Sequence, residues 1–260
     1  MKILGIQFNS IWQDSEANLA KLKALFLERV KGSGADLVVL PETFHAGFSM
    51  QPIKFAESVE GEISQALASL ALEYNVNIVA GVAQKQVRQE CHGQSVKFFN
   101  RALLFDRNGI LAGEYSKQKL FSYAGEDKAF QAGHNSSIVE IDGESFALLI
   151  CYDLRFPELF RKLAKKVKGF IVIANWPDSR QQHWESLLKA RAIENQCFII
   201  AVNRTGSDDN GLSYSGGSCL ISPMGEVLGY ANSQEDIFKA EIDLNEVKRV
   251  RAKFPFLEDL

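Results

Sequence analysis

Four short apolar runs constrain this chain more than any other feature: Asp36-Leu-Val-Val-Leu40, Phe146-Ala-Leu-Leu-Ile150, Gly169-Phe-Ile-Val-Ile-Ala174 and Cys197–Asn203. Each is nearly continuous in apolar residues instead of alternating, which predicts strands buried on both faces. Such strands need cover on either side, so the chain must supply outer layers. Helical patterns are in place to do so. Leu19, Leu22, Leu25, Phe26 and Val30 repeat at helical spacing behind a cap at Asp14 or Ser15, and Gly32-Ser-Gly34 ends the helix. Ile63, Leu67, Leu70, Ala71 and Tyr74 mark a second helix, and helices are expected over Glu158–Lys166 and Arg180–Asn195.

The remaining elements give the same order twice. Lys2–Asn9 and Asn77–Gln84 read as strands, and Gln86 to Ser95 as a polar surface loop. Phe98–Asp106 and Ile110–Tyr115 pair over Arg107-Asn-Gly109, a hairpin signal. In the second half, Arg204 to Ser213 is a Gly/Asp-rich loop. Ser218–Ser222 and Glu226–Tyr230 pair over Pro223-Met-Gly225, and Ile237–Ile242 is a last strand. Asp36–Glu42 corresponds to Gly169–Trp176, and the hairpin at 102–111 to that at 218–228. The expectation is an α/β body of two pseudo-symmetric halves, with two sheets face to face and helices outside. Residues 1–242 form one domain. Residues 243–260, ending in Phe254-Pro-Phe-Leu257, form a tail that docks on its own or a neighbouring subunit.

Composition narrows the function classes. Hydrophobic content of 46% and charged content of 23% suit a soluble globular protein, and a net charge of −3 gives no general signal for nucleic acid or membrane. No apolar run reaches the ~18 residues of a membrane span. The cysteines at 91, 151, 197 and 219 contain no CxxC pair, so no zinc knuckle or redox motif is readable, no metal site is expected, and a reducing, cytoplasmic setting is inferred.

Chemistry gathers at Cys151. It follows the apolar run 146–150 and precedes Tyr-Asp-Leu-Arg-Phe-Pro-Glu158, with a proline suited to a first helical turn. A strand-to-helix turn lifts the sulfur out of the sheet, and a helix N-terminus there is expected to favour the thiolate. A thiol that attacks a carbonyl needs a base and a cation or N–H donors for the oxyanion. None of the four histidines, His45, His92, His134 and His183, has a context that singles it out, although a Cys–His pair could assemble in space. Glu42, Lys117 and Glu126 stand at strand ends or in the irregular stretch after the hairpin. Glu42 follows four apolar residues and a proline, so partial desolvation is expected to suit it to proton abstraction.

At these positions the sequence resembles the nitrilase, or carbon–nitrogen hydrolase, superfamily. The matching pieces are Leu40-Pro-Glu42, Tyr115-Ser-Lys117-Gln-Lys-Leu-Phe121, Ile150–Glu158, Ala174-Asn-Trp-Pro177 and His183–Gln196. The resemblance implies a four-layer αββα sandwich, a homodimer formed through the nucleophile-bearing half, and a Glu42–Lys117–Cys151 triad joined by Glu126. It also implies an oxyanion donor at the backbone N–H of Tyr152, and no metal or organic cofactor. Within the superfamily the chain is most similar to bacterial ω-amidases, which release ammonia from 2-oxo acid ω-amides such as 2-oxoglutaramate. The supporting pieces are Pro41–Met50, Ala174–Asp178 and Asn203–Asp208. Lys119 stands where the family often has histidine. For a small substrate with a terminal carboxylate, Arg155 and Arg204 are candidate anchors, with a structural ion pair to Asp153 or Glu158 the alternative for Arg155. Phe44, Phe48, Phe121, Tyr123, Asn175 and Trp176 are candidates for the pocket wall. Competing readings are an N-carbamoyl amine or amino-acid hydrolase, a deaminated-glutathione amidase, and a non-catalytic binding subunit.

Overall fold

The computed structural model describes residues 1–90, 93–135, 138–232 and 234–259. Cys91 and His92 lie outside the described residues. In chain order the first half contains β1 (Lys2–Gln7), α1 (Ser15–Leu25), β2 (Leu37–Val39), α2 (Glu62–Tyr74), β3 (Asn77–Glu90), β4 (Gly93–Phe105), β5 (Leu111–Ser116) and the short α3 (Glu126–Ala129). The second half contains β6 (Ile138–Ile141), β7 (Glu144–Ile150), α4 (Pro157–Arg161), β8 (Gly169–Ala174), α5 (Gln181–Asn195), β9 (Phe198–Asn203), β10 (Thr205–Ser207), β11 (Ser213–Ser215), β12 (Cys219–Ile221), β13 (Val227–Tyr230), β14 (Asp236–Glu241) and α6 (Asn245–Lys253).

Two six-stranded sheets run β14-β1-β2-β3-β4-β5 and β13-β12-β9-β8-β7-β6. Each has three parallel strands at its centre, β1-β2-β3 in one and β7-β8-β9 in the other, flanked by antiparallel partners. The halves therefore correspond strand by strand: β1 to β7, β2 to β8, β3 to β9, β4 to β12 and β5 to β13. Position 6 differs in connection, because β14 comes from the end of the chain to close the first sheet.

Side-chain parity builds the layers. Leu37 and Val39 of β2 point into the core between the sheets, together with Ala102 and Leu104 of β4 and the strands of the second sheet. Val38, Ile78 and Leu103 point the other way, onto Leu19, Leu22, Phe26, Leu67 and Leu70 of the first half's helices and their extensions. Trp184, Leu188 and Ala192 of α5 cover the second sheet. The result is helix, sheet, sheet, helix, an α/β sandwich. Each fully buried aliphatic side chain in it contributes about 1.5–3 kcal/mol.

Three local expectations need correction. Residues 86–90 and 93–95 are no loop, and the rest of the expected loop lies outside the described residues; β3 and β4 continue as a paired ribbon from Ile78↔Phe105 out to Glu90↔Gly93. Its polarity on both faces reflects a ribbon running beyond the core, where pairing needs no apolar face. The expected helix at 158–166 is broken into α4 and a 3-10 turn at Ala164–Lys166. The carbonyls of Ala164 and Val167 accept hydrogen bonds from Arg251 Nη2 instead of continuing the helix. The Gly/Asp-rich segment after Arg204 folds back on itself as the β10–β11 ribbon. Beyond α6, Leu257 is buried and the Phe254 carbonyl accepts from Gln196 Nε2, so the C-terminal segment lies along the second half.

Candidate active site

The strand ends bring four side chains together. Glu42 stands just past β2, Lys117 just past β5, Glu126 at the start of α3, and Cys151 just past β7. Glu42, Lys117 and Glu126 are all fully buried. Lys117 Nζ lies 2.8 Å from Glu42 Oε1 and 2.9 Å from both oxygens of Glu126. Burial pulls the Lys117 ammonium down, but the Glu126 and Glu42 carboxylates outweigh it and hold it above the ordinary lysine range. It is therefore a fixed cation.

Each glutamate is held by several donors. Glu42 Oε1 also accepts from Asn100 Nδ2 at 2.7 Å, and Glu42 Oε2 accepts from the Asn175 backbone N–H at 2.8 Å. Glu126 Oε1 accepts from Asn100 Nδ2 at 3.0 Å, and Glu126 Oε2 from the Phe121 N–H at 2.7 Å. Gly81 of β3 makes the approach of the Glu42 segment possible: a Cβ there would stand 2.4 Å from Glu42 Cα and 2.6 Å from the Pro41 oxygen. Asn175 follows β8 and Glu42 follows β2, so the bond joins the ends of corresponding strands of the two halves.

Cys151 adopts φ 45°, a left-handed conformation that non-glycine residues seldom take and that is concentrated at functional sites. The turn after it, Cys151–Arg155, is 3-10. Its thiol is not depressed by a helix end, as the sequence suggested. Burial, and then the Glu42 carboxylate, push it well above the ordinary value, with Lys117 opposing. These surroundings favour the protonated thiol over the thiolate. The turn is tied to the lysine segment through Asp153, fully buried, whose Oδ2 accepts from the Ile150 N–H at 3.0 Å and the Tyr115 hydroxyl at 2.9 Å, while Oδ1 accepts from the Lys119 N–H at 2.9 Å. Burial pushes the Asp153 carboxyl up to about 6 against these donors.

Histidine does not serve this thiol among the described residues. His45 is fully buried, its Nε2 accepting from the Ala83 N–H at 3.1 Å, so that Nδ1 carries the ring hydrogen and donates to Ser15 Oγ at 3.0 Å. His183 Nδ1 accepts from Arg155 Nη2 at 3.2 Å on the surface, and His134 lines a separate groove.

Cys151 opens onto a cavity of about 250 Å³. Of the expected wall residues Phe48, Phe121, Asn175 and Trp176 line it, and so do the candidate anchor Arg155 and the expected oxyanion residue Tyr152. Arg155 makes no ion pair with Asp153 or Glu158; its guanidinium lies 4.8 Å over the Trp176 ring. Three expected pocket residues stand elsewhere. Phe44 is fully buried and packs edge-on against Phe8 and His45, so its ring belongs to the core beneath the first helices. Tyr123 is 89% exposed and touches the pocket only through the Phe121 ring. Arg204 is fully buried behind Tyr214, its nitrogens donating to the carbonyls of Thr205, Ser10 and Ser207. Trp12, Arg180 and Tyr214 are among the lining residues that were not foreseen. Among the described residues no carboxylate side chain lines the cavity, whereas the guanidinium groups of Arg155 and Arg180 do.

Asn100 was also missed, although a signal exists. It shares parity with Ala102 and Leu104, whose side chains enter the core between the sheets. A polar residue in phase with core positions is the informative kind of exception.

The carbon-nitrogen hydrolase family model matches residues 5–252. A 2-oxoglutaramate amidase of Bacillus subtilis (strain 168) is 35% identical over 257 residues, covering 98% of this chain and 95% of that protein. An omega-amidase of Escherichia coli (strain K12), YafV, is 36% identical, covering 100% and 96%. Among solved structures, XC1258 from Xanthomonas campestris superposes with a TM-score of 0.90 at 34% identity, covering 100% of this chain and 97% of that one. It is described as a CN-hydrolase superfamily protein with an arsenic adduct in the active site.

Proposed function

Since the chain belongs to the carbon–nitrogen hydrolase family, we propose that it is an ω-amidase, hydrolysing 2-oxo acid ω-amides such as 2-oxoglutaramate to the dicarboxylate and ammonia. The observation that carries this reading is the cavity over Cys151: small, walled by aromatic rings, with guanidinium groups of Arg155 and Arg180 and, among the described residues, no carboxylate side chain in its lining. A substrate with an amide at one end and a carboxylate at the other suits it.

In this reading Glu42 takes the thiol proton as Cys151 Sγ attacks the amide carbon. Lys117 Nζ and the Tyr152 backbone N–H receive the developing oxyanion. The tetrahedral adduct collapses with loss of ammonia, the nitrogen leaving on the proton held by Glu42, and a thioester to Cys151 remains. A water that gives its proton to Glu42 opens the thioester and restores the thiol. Glu126 fixes Lys117 from the opposite side, so that the ammonium stays aimed at the oxyanion. Arg155 holds the distal carboxylate, with its guanidinium lying over the Trp176 ring. Arg204 acts one layer back, as the anchor of the β10–β11 ribbon that presents Tyr214. No cofactor takes part in these steps.

Residues 1–242 act as one catalytic domain with 243–260 as a tail. A homodimer through the nucleophile-bearing half accords with the exposed Ile193, Met224, Leu228 and Tyr230 there. A reducing compartment accords with a chemistry that needs a free thiol at Cys151. No helix among the described residues is long and apolar enough to cross a membrane.

Ammonia release from 2-oxoglutaramate, measured beside an N-carbamoyl amino acid and deaminated glutathione, tests the assignment. The 2-oxo acid amide should give the highest kcat/KM by at least tenfold. Preference for the carbamoyl compound, or activity of Cys151→Ala equal to wild type, overturns it.

A further inference from the structure

The carboxamide of Asn100 is placed in a way its own satisfaction does not explain. It is 1% exposed. Its Nδ2 donates one hydrogen to Glu42 Oε1 at 2.7 Å and the other to Glu126 Oε1 at 3.0 Å. Its Oδ1 is buried and has no hydrogen-bond partner. A buried amide oxygen without a partner is unfavourable, and such exceptions call for a reason. The two oxygens that Nδ2 touches are also the two that Lys117 Nζ touches, at 2.8 and 2.9 Å. An ammonium and an amide thus bridge the same pair of carboxylates from two sides. The backbone joins in, since the Lys117 N–H donates to the Asn100 carbonyl at 2.9 Å.

We propose that Asn100 is a positioning residue for the reaction: its two N–H groups hold Glu42 and Glu126 together at the single Lys117 cation, so that the Glu42 carboxylate stays turned toward the Cys151 thiol. This rests on the reading of Glu42 as the base. The groups facing one another here are Glu42 after β2, Lys117 after β5, Glu126 on α3 and Cys151 after β7, with Asp153 behind the lysine segment. Two carboxylates that share one cation repel each other, and an amide that donates to both holds them at the same point.

Reaction of Cys151 with iodoacetamide, followed by mass spectrometry of the Cys151 peptide, reads this without any assumption about substrate. In Asn100→Leu the alkylation rate should fall about tenfold, and kcat for ammonia release should fall with KM little changed. Asn100→Asp, which keeps the shape and replaces the two donors by a third carboxylate, should lower both at least as far. It also carries the test if Asn100→Leu fails to fold by thermal melting. In a Glu126→Gln background the two carboxylates no longer repel each other, and Asn100→Leu should cost several-fold less. An unchanged alkylation rate in the folded Asn100 variants, or the same loss with and without Glu126, overturns the proposal. Ammonia release by wild type from 2-oxoglutaramate, run in parallel, reports separately on the substrate assignment.

Discussion

Acidification should act on this protein through two buried groups of opposite sign, and replacing one of them exposes the other. His45 is fully buried, and burial lowers its pKa from the ordinary 6.5 to about 4. The unfolded chain binds its proton from 6.5 downward, whereas the folded chain resists until about 4. Stability from neutral His45 is therefore fully present above 6.5 and is lost as pH falls toward 4. By pH ~4.5 the loss is about 2.5 kcal/mol. Asp153 runs the other way, from an ordinary 3.8 to about 6 when folded. The penalty for its buried charge is fully present above 6 and is relieved as pH falls toward 3.8, a gain of about 2 kcal/mol at pH ~4.5. Wild type should consequently change little from these two groups between neutrality and pH ~4.5. His45→Gln keeps an acceptor for the Ala83 N–H and removes the titration. The variant should start less stable at neutrality and gain about 2.5 kcal/mol on wild type by pH ~4.5. In a chain of this length that is a relative rise in Tm of roughly 5–10 °C. Urea denaturation at matched protein concentration and several pH values measures it. A wild-type-to-variant difference that stays constant from neutrality to pH ~4.5 refutes the reasoning.

Other perturbations address the site. Lys117→Met leaves Glu42 and Glu126 buried without their cation, so stability should fall by about 3–5 kcal/mol and kcat by at least about a hundredfold, measured by denaturation and ammonia release. Arg155→Met keeps an apolar stem but removes the guanidinium that lies over Trp176; KM for 2-oxoglutaramate should rise about ten- to a hundredfold while a neutral amide of similar size is little affected. Gly81→Ala forces a Cβ to within 2.6 Å of the Pro41 oxygen, so steady-state assays should show a reduced kcat beside a stability loss of about 1–3 kcal/mol.

The parts of the molecule legible in the sequence are those that a core dictates. The runs at 36–40, 146–150, 169–174 and 197–203 carry their burial in their composition, and the repeated order of elements set the two sheets. The strand-end positions of Glu42, Lys117 and Cys151 followed from that order. The ribbon at 86–90 and 93–95 was illegible because a two-stranded extension beyond the core has no apolar face to advertise. Phe44 and Phe48 lie four residues apart in an irregular segment, where neither period of two nor of 3.6 says which one faces the cavity and which the helices. Arg204 carries a charge yet donates to three backbone carbonyls, a use of guanidinium that side-chain chemistry alone does not signal. Asn100 could have been read from its phase with Ala102 and Leu104. Its partners could not, because they come from three other segments.

The strand that closes the first sheet has a consequence for how this chain is made. β1 pairs with β14 from Lys2↔Glu241 to Gln7↔Asp236, and the N-terminal ammonium donates to the Ile242 carbonyl. A nascent chain emerging from the ribosome thus carries β1 with one edge unpaired until residues 236–241 have been synthesised. Its first sheet stays open to mispairing throughout translation. The contact spans nearly the whole length of the chain, which also places it among the slow steps of refolding from denaturant. Truncation before residue 236 removes no residue of the cavity, yet leaves the strand that leads to the site's first half without its outer neighbour.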